Sequence, residues 1–253
     1  SRVRTPIRGS GAARSVAFSF LYANAGTLEF AFELALGRRI DAAHRLVVEV
    51  GDPHRVVGHR HGVRPEADID HCHHAGAGGV GHIAIQLAKL AGATVATTVS
   101  NDEKAEFVKR LGADKIINYR THDVADEIMQ WTDGQGVDIA FDTVGGSVLQ
   151  QCFRCVKCYG DVVTILQPST DTNWSDARLR NVRFSFELML TPVLLELEDA
   201  KSHQADILRQ CASLFDDDRL SIHVARIFDL AEAANAQQCL EQDHPMGKLV
   251  LAL

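Results

Sequence analysis

The sequence predicts an α/β protein organised as a doubly wound parallel sheet. Three observations carry that expectation. A glycine-rich hexapeptide, Gly76-Ala77-Gly78-Gly79-Val80-Gly81, opens a strongly amphipathic stretch. From there to residue 166, short β-branched runs alternate with segments of helical period, the pattern of a parallel sheet covered by helices on both faces. The chain is 46% apolar over 253 residues, enough to bury a large core.

The first strand, within residues 68–74, is the odd one. A parallel strand covered on both sides is normally a continuous apolar run, yet this one reads Asp-Ile-Asp-His-Cys-His-His. Asp68 and Asp70 would each cost several kcal/mol there as unpaired charges. Residues 79–91 carry Val80, Ile83, Ala84, Leu87, Ala88 and Ala91 at helical spacing. The β-branched run 93–99 predicts a strand. Residues 101–111 predict a helix capped by Ser100 or Asn101 and stopped at Gly112. A strand over 115–118, a helix over 124–131 ending before Asp133-Gly134, a strand over 137–141 and a Gly145-Gly146 turn follow. Residues 148–159 read as helix and 161–166 as strand. The last part differs: helix 199–215, strand 223–228, helix 231–242 and strand 247–253 form a piece that pairs outside the main sheet.

Upstream of the glycines the composition changes. The first lysine is Lys89, and seven of the twelve histidines lie at or before His74. Residues 37–66 show no sustained periodicity apart from Leu46–Val50 and read as irregular loop, with a basic or metal-binding segment as the alternative. Arg2, Arg4, Arg8 and Arg14 before VAFSFLYANA imitate a secretory leader, but the apolar run is short. No run reaches membrane-spanning length, since Glu29 and Glu33 interrupt the best candidate. The net charge of −7 argues against nucleic acid or an anionic membrane as partner. Six cysteines in a long chain read as reduced thiols in a cytoplasmic protein.

The glycines carry the chemistry. In G-x-G-x-x-G, Gly76 permits the tight turn, Gly78 lets the backbone approach a pyrophosphate, and Gly81 lets helix and strand pack closely. The helix that follows aims free N–H groups and its positive dipole end at phosphate. An acid at the end of the second strand would mark NAD. That tip reads Thr97-Thr98-Val99-Ser100, with Lys104 one helical turn later. A hydroxyl and a cation suit a 2′-phosphate, so NADPH is favoured over NADH, although Asp102 and Glu103 stand nearby.

The segments HAGAGGVGHIAIQLAKLAGA (74–93), LGADKIINYR (111–120), GVDIAFDTVGG (136–146), YGDVVTIL (159–166) and HPMGKLVLAL (244–253) resemble the medium-chain dehydrogenase/reductase superfamily, in its quinone oxidoreductase-like branch. The resemblance implies a Rossmann doubly wound parallel sheet with an incomplete GroES-like second domain. It places an atypical remnant of the N-terminal catalytic domain at 1–66, the Rossmann dinucleotide-binding domain at 67–221 and a C-terminal return to the catalytic domain at 222–253. It also implies cofactor contacts at Gly76, Gly78, Gly79, Val80 and Gly81; at Ser100, Lys104 and Tyr119 for the adenosine and 2′-phosphate; at Thr143, Val144 and Gly145 beside the cofactor; and at Ile165 and Leu166 near the nicotinamide. AGTLEFAF (25–32) and GVRPE (62–66) resemble pieces of the family's N-terminal domain. The Arg- and His-rich stretch between them matches nothing and reads as a segment translated out of frame or otherwise replaced.

Two clusters invite a metal. His71 and His73 share one face of an extended strand, which permits two zinc ligands and needs distant partners such as His59 or His61. Cys152, Cys155 and Cys158 lie three apart on the predicted helix 148–159 and read as buried thiols. No metal is expected. The resemblance implies an NADPH-dependent oxidoreductase passing hydride to a quinone, an enone or a related carbonyl, and a homodimer is expected. A nucleotide-binding protein without turnover, which could still dimerise through the sheet edge near 183–190, and a zinc-dependent alcohol dehydrogenase are the alternatives. No catalytic residue stands out. Phe186, Met189 and Leu190 are candidates for the substrate side, with ordinary core packing as the other reading.

Overall fold

The structure, a computed structural model, describes residues 70–252. The segment 1–66, with its leader-like start, its His and Arg cluster and its proposed replacement, lies outside the described residues, as does Asp68.

Six strands form one parallel sheet: β1 (Asp70–His73), β2 (Thr94–Val99), β3 (Lys115–Asn118), β4 (Val137–Asp142), β5 (Val156–Thr164) and β6 (Arg183–Phe186). Their order is β3-β2-β1-β4-β5-β6, and every neighbouring pair is parallel. This is the Rossmann order, with the switch point between β1 and β4. The connecting helices are α1 (Gly81–Leu90), α2 (Asp102–Arg110), α3 (Val124–Trp131) and α4 (Ser147–Cys155). The short helices α5 (Ser175–Leu179) and α6 (Thr191–Leu194) flank β6, and the long α7 (Glu198–Asp216) follows. Strands β7 (Val224–Asp229) and β8 (Lys248–Ala252) pair in parallel as a separate sheet, joined through α8 (Ala233–Asp243).

Local chemistry explains most boundaries. Asn101 Oδ1 accepts the Lys104 amide at 2.9 Å and so caps α2; Asp123 Oδ1 does the same for Asp126 at 3.0 Å in α3. Gly112 (φ +103°) and Gly134 (φ +80°) take the left-handed conformation just past their helices.

One expected element is corrected. The helix predicted over 148–159 stops at Cys155, and residues 156–159 belong to β5. Pairing with β4 overrides local helical spacing here: Val156 lies opposite Val137, and a register shift then lets Asp161 lie opposite Ile139. Tyr159 takes a left-handed φ of 63° in the irregularity, and its amide donates to Arg180 O at 2.8 Å. The three cysteines are therefore not on one helix. Cys152 and Cys155 are buried on α4, whereas Cys158 is exposed on β5. Cys72 packs with the two buried ones, and a hydrogen bond with Cys155 together with burial holds its thiol protonated well above the usual range.

The opening strand is regular and central. His71, Cys72 and His73 pair with both β2 and β4. Asp70 lies at the entry of the strand and is only half-buried. Its amide donates to Asp138 Oδ2 at 3.1 Å, and Asp138 also pairs with Lys157. The imidazoles take the interior instead. His71 and His73 stack at 5.9 Å with planes 14° apart, and His73 meets the edge of Phe141 at 5.8 Å.

Candidate functional site

The site is assembled at the carboxyl ends of β1, β2, β4 and β5. Beyond His73 the chain turns through Ala75, which has a left-handed φ of 54°, and enters α1 at Gly81. Two adjacent threonines at the end of β2 fix this turn. Thr97 Oγ1 donates to His73 O at 2.7 Å, and Thr98 Oγ1 accepts the Ala75 amide at 3.0 Å. The glycines are required by contact. A methyl group on Gly76 would overlap Thr97 Oγ1; on Gly81 it would lie 2.5 Å from Ala75 O and 2.7 Å from Gly76 Cα. Helix and strand thus approach as closely as the motif demands. Among the described residues, the amides of Gly79, Val80 and Gly81 find no acceptor, so the start of α1 presents open donors of the kind that bind phosphate. Val80 is partly buried against Ala84, Phe141 and Val163, and Ile165 packs on the same group.

One flank of the turn gathers Ser100, Lys104 and Tyr119. Ser100 is buried just past the end of β2. Tyr119 stands at the end of β3, where its amide donates to Val99 O at 3.1 Å and its ring is 51% exposed. Lys104 extends from the first turn of α2, and its Nζ donates to His244 O at 3.0 Å. The other flank gathers Thr143, Val144, Gly145, Ile165 and Leu166. Thr143 Oγ1 donates to His74 O at 3.0 Å, tying this loop to the glycine turn. Val144 and Leu166 are exposed, and Leu166 lies against Gly145. The thirteen residues expected at the cofactor thus lie just beyond the carboxyl ends of β1 to β5 or at the starts of α1 and α2. Met189 packs into the core between α1 and α7, while Phe186 and Leu190 are exposed.

The structure adds residues that sequence reasoning passed over. Asp142 is fully buried beneath the second flank. Its Oδ1 accepts the amides of Val144 (2.9 Å) and Gly145 (2.8 Å), and its Oδ2 accepts Thr164 Oγ1 at 3.0 Å. Asp142→Ala should cost about 2 kcal/mol, because it leaves the buried Thr164 hydroxyl and the two turn amides without their acceptor, whereas Asp142→Asn should cost less. Urea denaturation of both variants checks this, and equal losses would show that the carboxylate is not what holds the turn. An acid ending a strand just before Val-Gly-Gly was a readable signal for this role.

His82, in the first turn of α1, is the second addition. Its Nδ1 lies 2.8 Å from Gly78 O, and its Nε2 accepts the His223 amide at 3.4 Å. These partners place the proton on Nδ1, and burial lowers the pKa to about 4. One turn on, Gln86 binds Ser221 through both amide atoms. Gly247 donates its amide to Ala77 O at 2.9 Å. The C-terminal segment is therefore fastened directly to the glycine turn.

Zinc is the other group to test. The described residues do not fit it: they bring no three His, Cys, Asp or Glu side chains into a metal-holding group. His71 and His73 form a stacked pair, and Cys158 is exposed while Cys152 and Cys155 are buried. Among the described residues, no helix is long and apolar enough to cross a membrane.

A parallel sheet in this order, with a glycine turn at its switch point, defines a dinucleotide-binding module. The family model described as zinc-binding dehydrogenase matches residues 111–251. The chain is 33% identical over 187 residues to a 2-haloacrylate reductase of a Burkholderia species, an alignment that covers 70% of this chain and 54% of that protein. Among solved structures, the quinone oxidoreductase of Coxiella burnetii is 34% identical, with a TM-score of 0.60 over 73% of this chain and 53% of that one. The quinone oxidoreductase of Pseudomonas syringae pv. tomato is 27% identical, with a TM-score of 0.66 over 77% and 59%. The chain belongs to the zinc-binding dehydrogenase family, in the quinone oxidoreductase-like branch of the medium-chain dehydrogenase/reductase superfamily. It spans about half the length of the reductase it matches.

Proposed function

We propose that the chain binds NADPH and serves an oxidoreductase that passes hydride to a quinone, an enone or a related carbonyl. The observation that carries this reading is the glycine turn: its open amides face phosphate, and the strand tip beside it offers Ser100 and Lys104 and no carboxylate. Gly76, Gly78, Gly79, Val80 and Gly81 hold the pyrophosphate. Ser100, Lys104 and Tyr119 hold the adenosine end. Thr143, Val144, Ile165 and Leu166 border the nicotinamide. The bound cofactor supplies the hydride. The protein's part is to position it, with the apolar surfaces of Val80, Ile165 and Leu166 keeping water from the transfer. The named activities of the haloacrylate reductase and the quinone oxidoreductases support an activated alkene or quinone as acceptor. The described cysteines are all free thiols, which fits a cytoplasmic setting. The open edge at β6, with Phe186, Leu188 and Leu190 exposed, fits a homodimer.

Side-by-side titration with NADPH and NADH tests the cofactor assignment. NADPH should bind more tightly, and Lys104→Ala should weaken it by roughly tenfold while leaving NADH nearly unchanged, as expected for one lost charge-assisted contact to the 2′-phosphate. Equal weakening of both nucleotides would remove that role from Lys104. Nucleotide binding without turnover is the second reading. Consumption of NADPH on a panel of quinones and enones separates the two.

A further inference from the structure

The face of the sheet that packs on α3 and α4 changes character as it reaches the site. Ala96, Cys72, Ala140 and Val162 lie side by side across β2, β1, β4 and β5, buried in one apolar cluster. Two residues further along each chain the same face carries Thr98, His74, Asp142 and Thr164, all of them buried. Polar groups this deep need partners, and three of the four find theirs in the loops of the site. Thr98 Oγ1 accepts the Ala75 amide of the glycine turn. Asp142 accepts the amides of Val144 and Gly145 and the hydroxyl of Thr164, and Thr164 Oγ1 accepts the Leu166 amide at 3.1 Å. His74 is the exception. Its carbonyl accepts Thr143 Oγ1, but its ring is buried with Nε2 unpartnered, in the field of the Asp142 carboxylate. That carboxylate accepts three hydrogen bonds and has room for another. His71 and His73, whose rings also hold unpaired atoms, face the other side of the sheet.

We propose that His74 is a positioning residue for the nicotinamide end of the nucleotide: its imidazole steadies the Asp142 carboxylate, which holds the Val144 and Gly145 amides and so sets the course of the loop beside the nicotinamide. This rests on the nucleotide-binding reading above. A polar ring next to a buried carboxylate replaces part of the hydration that the carboxylate has lost. An aliphatic side chain of similar bulk fills the space and leaves that loss uncompensated, so the carboxylate and the loop it carries settle elsewhere. The effect is confined to one end of the nucleotide. The glycine turn that takes the diphosphate is fixed by the hydroxyls of Thr97 and Thr98, neither of which uses the His74 ring. The loop 143–145 is held by Asp142 and by the bond from Thr143 to His74 O.

Two ligands separate positioning from mere packing. Calorimetric titrations of the full chain with NADPH and with 2′-phospho-ADP-ribose, the same nucleotide without its nicotinamide, are compared for the wild type, His74→Leu and His74→Gln. The wild type should hold NADPH more tightly than the truncated analogue. His74→Leu should erase most of that preference, weakening NADPH by roughly five- to tenfold, the worth of one good hydrogen bond, and the analogue hardly at all. His74→Gln keeps a polar group beside Asp142 and should retain most of the preference. A folded His74→Leu protein that keeps the full preference, or that weakens both ligands equally, would overturn the proposal, since the ring would then only fill space. Should the leucine variant not fold, Thr143→Val decides the matter, because it removes the hydroxyl that ties the loop to His74 O. It should show the same selective loss, with Thr143→Ser spared, and an unchanged preference would sink the idea. A wild type that holds both ligands equally leaves nothing to position and overturns this proposal alone. One that binds neither overturns the nucleotide reading itself.

Discussion

Lowering the pH from about 7 to 5 should strongly destabilise the protein, and the buried imidazoles in and just after the central strand should be the cause. His71, His73 and His74 are buried, with pKa values pushed down to about 4, about 3 and about 4. Burial is the chief cause in each. His71 and His74 depress His73 further, while Asp142 pulls His74 the other way. A depressed pKa means that the unfolded chain, titrating near 6.5, takes up the proton first. The stability is therefore complete above about pH 6.5 and is lost as pH falls towards 4. Each group forfeits roughly 1.4 kcal/mol per pH unit in that window, so three of them at pH 5 lose about 6 kcal/mol. That equals much of the stability of an ordinary domain, about 5–15 kcal/mol.

The strand also carries a cost at neutral pH. Among the described residues, His71 Nδ1, both ring nitrogens of His73 and His74 Nε2 have no hydrogen-bond partner, and an unpaired buried polar atom costs about 1–3 kcal/mol. Replacing His71 with Ile and His73 with Val should raise the melting temperature at pH 7 and flatten its decline towards pH 5. Circular dichroism melts across that range measure both effects. A wild-type melting temperature unchanged between pH 7 and pH 5 would refute the account.

Gly81→Ala should abolish measurable binding of both NADPH and NADH. The added methyl meets backbone atoms, Ala75 O at 2.5 Å and Gly76 Cα at 2.7 Å. Neither can rotate aside, so either α1 or the end of β1 must move. Overpacking of this kind costs about 1–3 kcal/mol, and it displaces the amides proposed to hold the phosphates. Gly134→Ala is the control. Its methyl would find nothing within 4 Å, so it carries only the small cost of a left-handed φ and should bind nucleotide as the wild type does. Fluorescence titration of the two variants gives the comparison. Retained affinity in a folded Gly81→Ala protein would mean that the turn does not hold the diphosphate.

The sheet was legible because it was written locally. Each strand from β2 to β4 is a run with β-branched residues bounded by a cap or a glycine, and the helix read over 124–131, ending before Asp133-Gly134, has those bounds. The glycine turn was legible because its spacing is its chemistry. The misreading of residues 156–159 has the opposite origin. Val148, Cys152, Cys155 and Tyr159 keep helical spacing, but pairing with β4 decides the outcome, and that partner lies about twenty residues away. Strand β6 was passed over for the same reason: four residues, Arg-Phe-Ser-Phe, take their form from β5. The contact of Gly247 with Ala77 could not be read at all. No spacing links the two; only the docking of β8 brings them together. The imidazoles of β1 were conspicuous in the sequence, but their solution, one stacked pair buried in the sheet, required knowing which face each one takes.

The grip of His82 and Gln86 on residues 221–223 bears on how the molecule can be divided. By topology the chain separates after residue 221, where the last helix of the large sheet has ended and the small sheet has yet to begin. By cohesion it does not, because the bend that would cradle a nucleotide leans on the far side of that cut through His223 and Gly247. A fragment trimmed to the six-stranded half would keep every glycine of the motif and lose the scaffolding that shapes it.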